Sequence, residues 1–173
     1  VKNKKVRMPE NAMTGEWFLK THQLMESKGY PSYEISNFSQ PGFECRHNLH
    51  YWKIHPYLAF GPSAHGFDGT NRWNNSQSLD LFLQQIESGN SPISRIETLT
   101  EKDKLNELIG FGLRMNDGID LKKIPKIFQI QFGENLKIIE KKWEGCFIKN
   151  ENSISLTKTG MVFGDAIGVD LML

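Results

Sequence analysis

The sequence predicts a chain of two parts, α/β followed by α+β. In residues 1–95, stretches with helical apolar spacing alternate with short strand-like stretches, which is typical of the βα units of a barrel. In residues 96–173, three helical segments precede a hairpin pattern and a closing helix, which indicates a helical, winged-helix-like domain. Most of the histidines lie between Tyr33 and Gly66, so we expect the functional site in this stretch.

The composition excludes several functional classes. The 173 residues are 38% hydrophobic and carry a formal net charge of +1. A chain this close to neutrality has no general electrostatic attraction to nucleic acid or to an anionic membrane. The two cysteines are far apart, which indicates a reducing compartment. There is no signal-peptide pattern and no apolar run of about 18 residues, so we predict a cytoplasmic protein without a membrane partner.

The first helix is predicted by an apolar stripe over Met13–Met25, which Gly29 and Pro31 end. Before it, Val1–Arg7 carries four basic residues and is interpreted as a frayed start. We interpret His22, on or near this helix, as a surface histidine, because the sequence shows no partner for it.

A strand is predicted from Tyr33 to Phe38 by alternating side chains. Tyr33 and Ile35 would pack against the helix, which turns Glu34 and Ser36 toward a barrel lumen. A carboxylate there needs a ligand donor, an arginine or water as its partner. A half-exposed edge strand with Glu34 in solvent fits the same spacing equally well.

The loop at residues 39–55 carries His47, His50 and His55, with Tyr51 and Trp52 between them. A zinc site would need more ligands than this loop clearly supplies. A heme iron needs only one imidazole from it, and aromatic rings can pack on a porphyrin face. From the residues alone, a packed aromatic cap over a barrel mouth remains the simpler interpretation.

A second short strand, Tyr57–Phe60, is predicted to end in the turn Gly61–Gly66. Its glycines permit close backbone approach, so amides beside the small Ala64 could face adenine or a phosphate-like group. A strand exit with packing glycines explains the same residues. The polar residues 67–78 are predicted to form a loop anchored by Trp73.

The second part begins after an extended stretch at residues 91–98, and we place the domain boundary between residues 95 and 96. Its third helix mixes lysines with glutamates, which argues against binding to nucleic acid. The elements predicted from Leu79 onward are a helix over Leu79–Ile86, a helix capped by Thr100 and Asp103, a short helix capped by Asp120, a helix over Glu134–Trp143, a hairpin over Cys146–Leu156 and a final helix capped by Thr157.

Five stretches in the same order resemble the oxygen-independent coproporphyrinogen III oxidase-like radical S-adenosylmethionine (SAM) proteins: YEISNF, CRHNLHYW, YLAFGPSAHG, LTEKDK with GLR, and LTKTG. The resemblance covers nearly the whole chain. HNLHYW, at His47–Trp52, is similar to the H-N-x-x-Y-W mark of the family's heme-chaperone branch. The resemblance implies that residues 1–95 supply the last βα elements of a partial radical-SAM TIM-type barrel.

One departure from the family pattern is large. The cluster signature C-x-x-x-C-x-x-C is absent, because Cys45 and Cys146 fit no cluster spacing. We therefore expect the chain, which begins at Val1, to be the C-terminal portion of a longer protein. The family implies that this parent is an oxidoreductase that holds a [4Fe–4S] cluster and SAM. By itself, the chain is expected to be inactive in radical chemistry.

The resemblance also implies site residues. His47 is the candidate ligand of a heme iron. The rest of a heme or porphyrin pocket would be formed by Arg46, Asn48, Tyr51 and Trp52, and Arg46 and Arg72 could pair with propionates or be surface charges. The lumen, on the side that faces SAM, would be lined by Glu34, Ser36, Gly61, Ala64 and His65.

The expected function is in porphyrin or heme metabolism, as a heme-binding chaperone-type protein. The expected partners are the N-terminal barrel portion, heme or porphyrin, a heme-acceptor protein and a second copy paired through the exposed edge of the Tyr33 strand. The rival hypothesis is a non-catalytic binding or adaptor module whose winged-helix domain contacts other proteins.

Overall fold

The computed structural model describes residues 11–173, so the interpretation of Val1–Arg7 as a frayed start lies outside the described residues. The chain is mixed α/β, as the sequence predicts. The helices are α1 Asn11–Ser27, α2 Arg46–Trp52, α3 Leu79–Glu87, α4 Glu101–Arg114, α5 Gln129–Lys142, α6 Lys158–Val162 and α7 Gly164–Leu171. The strands are β1 His65–Phe67, β2 Asn71–Asn75, β3 Ile93–Thr98, β4 Ile119–Asp120, β5 Phe147–Lys149 and β6 Ser153–Leu156.

The first sheet has the order β1-β2-β3 and is antiparallel throughout. The prediction of a loop over residues 67–78 is therefore wrong, because β2 lies within it. The sequence of β2 is polar and shows no strand pattern, because most residues of this strand are only half-buried. Gly66 is required here, because a Cβ at this position would lie 2.3 Å from the ring of Trp73.

The predicted strand at Tyr33–Phe38 is a turn. The Tyr33 amide donates to the Asn37 carbonyl at 3.1 Å. Within residues 11–173, the strand-like pairings of this segment are two single bridges, from Ser32 to Phe38 and from Glu34 to Met115. The Glu34 carboxylate accepts from the Ser36 amide at 2.7 Å, and such local bonds compete with a strand ladder. Glu34 is completely buried, so the alternative with Glu34 in solvent is also wrong.

The predicted strand at Tyr57–Phe60 is reduced to one bridge, between Tyr57 and Phe67. Leu58 and Phe60 are exposed. Every strand pair within residues 11–173 is antiparallel, so the parallel pairing of βα barrel units is not seen there. No helix in the same range is both long and apolar enough to cross a membrane.

The second sheet, β4-β6-β5, packs with α4, α5 and α7 around the main core. The capping box of Thr100 and Asp103 forms at the start of α4, and Asp120 and Thr157 cap the helices predicted for them. The predicted final helix is two helices, because Phe163 leaves helical geometry between α6 and α7. The largest fully buried apolar side chains are Leu105, Ile109, Leu113, Ile119, Ile154, Ile167 and Leu171.

His22 is a buried residue, contrary to the sequence-based interpretation of a surface histidine. Only 4% of it is exposed, and its ring lies between Phe18 and Phe38. Nε2 lies 3.1 Å from the Ile35 carbonyl oxygen, and Nδ1 lies 3.5 Å from Nζ of Lys158. These contacts join α1, the turn at residues 32–38 and α6 at one point.

Candidate functional site

The HNLHYW segment forms α2, which brings together Arg46, His47, Asn48, Tyr51 and Trp52. The helix begins after Cys45, whose carbonyl accepts from the Leu49 amide, and it ends before Ile54, which adopts a positive φ of 57°. Residues four apart share a helix face, whereas residues five apart point in different directions. His47 and Tyr51 therefore lie on one face, and Trp52 lies on another.

The outer face carries His47 and Tyr51, both exposed. The His47 ring stands edge-on to Tyr51, with centroids 4.9 Å apart, and Tyr51 contacts Tyr57 in the same way at 4.7 Å. Within residues 11–173, no hydrogen bond engages the nitrogens of His47, whereas Nε2 of His50 is bound to the Pro56 carbonyl oxygen at 2.7 Å. An exposed imidazole without a hydrogen-bond partner among the described residues can coordinate the iron of a heme, and the neighbouring aromatic rings can pack against the porphyrin.

The inner face holds α2 on α4 through Trp52. Its ring packs against Phe111, with centroids 5.7 Å apart, and the Arg114 guanidinium lies 4.6 Å from its centroid. Its Nε1 is buried and has no acceptor among the described residues. On the same short helix, Asn48 donates to the Tyr33 hydroxyl at 3.5 Å. The structure therefore does not place Trp52 beside His47 as a second pocket wall.

Arg114 also reaches Glu34 and Ser36. Its Nη2 donates to the Glu34 carboxylate at 3.0 Å and to the Ser36 hydroxyl at 3.4 Å. The second Glu34 oxygen accepts from the amide nitrogen of the Asn37 side chain at 2.6 Å. Glu34 is thus a buried carboxylate satisfied by one arginine and by its own turn. The arginine that the sequence predicts as one type of partner is Arg114.

The turn at Gly61–His65 is held by β2. The buried Asn75 donates from its side chain to the Gly61 carbonyl at 2.9 Å, and its backbone amide donates to Ala64 at the same distance. Gly61 has a φ of 90°, which favours glycine. His65 begins β1 and is exposed. Strand β2 therefore holds this turn, whereas Arg114 of α4 holds Glu34 and Ser36.

A cavity of about 490 Å³ opens on the inner side of α2, between Trp52 and the second sheet. Its charged lining is mixed, and the residues are Lys53, Asp117, Asp120, Lys122 and Lys123. The cavity and the His47 face are therefore separate surfaces of one helix.

No three His, Cys, Asp or Glu side chains lie close enough together to hold a metal ion in the part of the chain that the structure describes. Cys45 is exposed and Cys146 is buried, where burial raises the pKa of its thiol. Neither cysteine has a partner thiolate, so the donor set does not fit an iron–sulfur cluster. Any metal here would have to bring most of its own ligands, as heme iron does.

Sequence reasoning missed the residues that join α2 to the rest of the chain. Arg114 and Phe111 lie on one face of α4, and Tyr57 extends the aromatic surface of Tyr51. The one available signal was the predicted inward orientation of Glu34, which would need a ligand donor, an arginine or water as its partner. Spacing along the chain could not supply this partner, because 80 residues separate the two.

Comparisons with known proteins place the chain among proteins of similar sequence and fold. Residues 99–163 match the family model of the HemN C-terminal domain. The mitochondrial radical S-adenosyl methionine domain-containing protein 1 of Danio rerio is 28% identical over the whole chain. The heme chaperone HemW of Bacillus subtilis is 28% identical over 94% of the chain. Residues 99–163 therefore match a HemN C-terminal domain, and the chain as a whole is similar to HemN/HemW-like radical SAM proteins.

Among solved structures, coproporphyrinogen III oxidase (HemN) from Escherichia coli, described as a radical SAM enzyme, matches with a TM-score of 0.73. It is 19% identical and the match covers 98% of this chain, which shows a shared fold. The chain spans less than half the length of the relatives it matches: 42% of the Danio rerio protein, 44% of the Bacillus subtilis HemW and 43% of the HemN chain.

Proposed function

We propose that this chain is part of a heme-chaperone-type protein of the HemN/HemW-like radical SAM family, to which it supplies a heme-binding helix and the C-terminal domain. The observation that carries the proposal is α2, where the HNLHYW segment presents an exposed His47 next to Tyr51, and no hydrogen bond within residues 11–173 engages the ring nitrogens of His47. Matched relatives named heme chaperone HemW support the same role. Heme is then cargo, which the protein binds and passes to an acceptor protein.

In this proposal His47 provides one axial ligand to the heme iron. The rings of Tyr51 and Tyr57 would pack beside the porphyrin. Arg46, exposed at the start of the helix, is a candidate partner for a propionate, whereas Arg72 is already bound to both carboxylate oxygens of Glu107 at 2.7 and 3.2 Å. Asn48 and Trp52 would act indirectly, by holding α2 in place.

We further propose that SAM and a [4Fe–4S] cluster belong to the N-terminal barrel portion of a full-length protein. Gly61, Ala64, His65 and Ser36 remain candidates for the side that faces SAM, and Glu34 would serve there by orienting Arg114. The exposed Leu58 and Phe60 are apolar surface that such a portion would cover. Three structural points stay predictions: the partial barrel, the winged-helix-like domain and the domain boundary after residue 95. A cytoplasmic location also stays a prediction, since one relative is named as mitochondrial.

A hemin titration followed by absorbance tests the proposal on this chain, with His47→Ala and His55→Ala compared in parallel. His55 is the matched control, because it is also exposed, lies in the same aromatic group and makes no hydrogen bond through its ring within residues 11–173. We expect a Soret shift that saturates near about one equivalent in the wild type and in His55→Ala, and that is lost in His47→Ala.

Equal, saturating spectra for all three proteins would remove His47 as the ligand. Weak, non-saturating spectra for all three would overturn heme binding by this chain and favour the adaptor hypothesis. Added imidazole should restore the wild-type spectrum in His47→Ala, because it can replace the missing ligand while Tyr51 and Tyr57 stay in place.

A further inference from the structure

The outer edge of β3 is unpaired in the part of the chain that the structure describes. Strand β3 lies at the end of the order β1-β2-β3, and all six of its residues are exposed. Ile96, at its middle, is 61% exposed. An open strand edge of this kind offers backbone donors and acceptors to another strand. The turn at Tyr33 offers no such edge, so pairing through a Tyr33 strand is ruled out by its geometry.

The direction of the free backbone groups follows from the register. The Leu99 amide donates to the Thr70 carbonyl at 2.9 Å, and the next residues pair as Asn71 with Thr98 and Arg72 with Glu97. Hydrogen-bonded and non-hydrogen-bonded pairs alternate in an antiparallel ladder. Glu97 therefore turns its backbone groups toward β2, and Ile96 and Thr98 turn theirs outward.

The side chains of β3 are self-complementary about Ile96. Arg95 and Glu97 lie on one face of the strand and Ile96 lies on the other. When two antiparallel copies pair across a two-fold axis at Ile96, each Arg95 lies opposite Glu97 of the other copy. These are the close, non-hydrogen-bonded positions, where cross-strand charge pairs interact most directly.

Both charges are available for this contact. No ion pair among residues 11–173 engages Arg95 or Glu97, and the neighbouring Arg72 is occupied by Glu107. The formal net charge of +1 leaves little general repulsion between two copies. We propose that β3 pairs with β3 of a second copy of this chain, antiparallel and two-fold symmetric at Ile96, so that one sheet continues through both copies.

Charge reversal with rescue tests the pairing. Sedimentation equilibrium over a wide concentration range would compare the wild type with R95E, E97R and the double variant R95E/E97R. Each single reversal places like charges opposite each other twice, so we expect the dimer Kd to rise by about tenfold or more. The double variant restores opposite charges, and its Kd should return to within about threefold of the wild-type value.

Lys126→Glu, a charge reversal at an exposed position of the second part, is the control and should leave the Kd unchanged. A protein that sediments as a monomer at every concentration overturns the proposal and leaves the β3 edge to a different partner. A dimer that the single reversals do not weaken, or that the double variant does not restore, overturns it equally, because association must then use another surface.

Discussion

At the scale of single residues, Arg114 decides how the candidate site is held. It is the common neighbour of the buried Glu34 and of Trp52 on α2. Glu34 is 0% exposed, whereas the side chain of Arg114 keeps 26% of its surface in contact with solvent. Removing one partner should therefore cost more stability when Glu34 is left unpaired than when Arg114 is, since water can reach only Arg114.

This difference gives a prediction about stability. Arg114→Met keeps most of the packing on Trp52 but leaves a buried carboxylate unpaired, which should lower the free energy of unfolding by about 3–5 kcal/mol. Glu34→Gln leaves a hydrated guanidinium and should cost roughly 1–2 kcal/mol. The double variant should be more stable than Arg114→Met alone, because it contains no unpaired buried charge.

Urea unfolding of the three variants and the wild type measures these free energies. Additive losses in the double variant would contradict the interpretation of Arg114 and Glu34 as a coupled pair.

At the scale of secondary-structure elements, the sequence predicts best where local rules decide the outcome. The capping box at Thr100 and the caps at Asp120 and Thr157 form as predicted, since each depends on residues within one turn. The Tyr33–Phe38 alternation predicts a strand and is wrong, because Glu34 binds its own turn and the distant Arg114. The same distinction applies to the candidate site. Its five residues on α2 are neighbours in the sequence and could be predicted, whereas the contacts that hold α2 in place come from the distant α4.

The docking of α1 depends on a neutral His22. In the tautomer with hydrogen on Nε2, the ring donates to the Ile35 carbonyl and accepts from Lys158 at Nδ1. Burial lowers the pKa of His22; the bond to Ile35 and the charges of Glu26 and Glu34 oppose this shift, and Lys158 adds to it. A proton on Nδ1 would face the Lys158 ammonium, so protonation should loosen the contact between the elements.

We therefore predict that the free energy of unfolding depends on pH, and that His22→Gln makes this dependence weaker. The folded pKa lies below the unfolded value of about 6.5, so the unfolded state binds more protons and stability falls as the pH drops from above 6.5 toward the folded pKa. Urea unfolding at neutral and mildly acidic pH measures the change, with His55→Gln as an exposed-histidine control. An unchanged pH dependence in His22→Gln would show that His22 does not cause it.

At the scale of the whole molecule, apolar burial is uneven along the chain. The main core is built from residues between Leu105 and Leu171, with Phe18 and Ile35 packed against its side. By contrast, α2 and α3 contain no buried residue, and every residue of β3 is exposed. The candidate heme helix and the proposed dimer edge thus lie on the part of the chain with the least burial, which suits surfaces that meet a ligand or a partner.

This distribution predicts a graded pattern of hydrogen exchange. Amides of α4, α5, β6 and α7 should exchange slowest, because only global unfolding exposes them, whereas amides of α2 and α3 should exchange through local opening at much lower free energy. Exchange measured by mass spectrometry in the wild type and in Arg114→Met distinguishes destabilisation of the main core from local opening of α2. If Arg114 fixes α2 on α4, its removal should accelerate exchange at Arg46–Trp52 more than in α5. Uniform protection from α2 to α7 would contradict this picture, since it would require one cooperative unit in which α2 is as firmly held as the core.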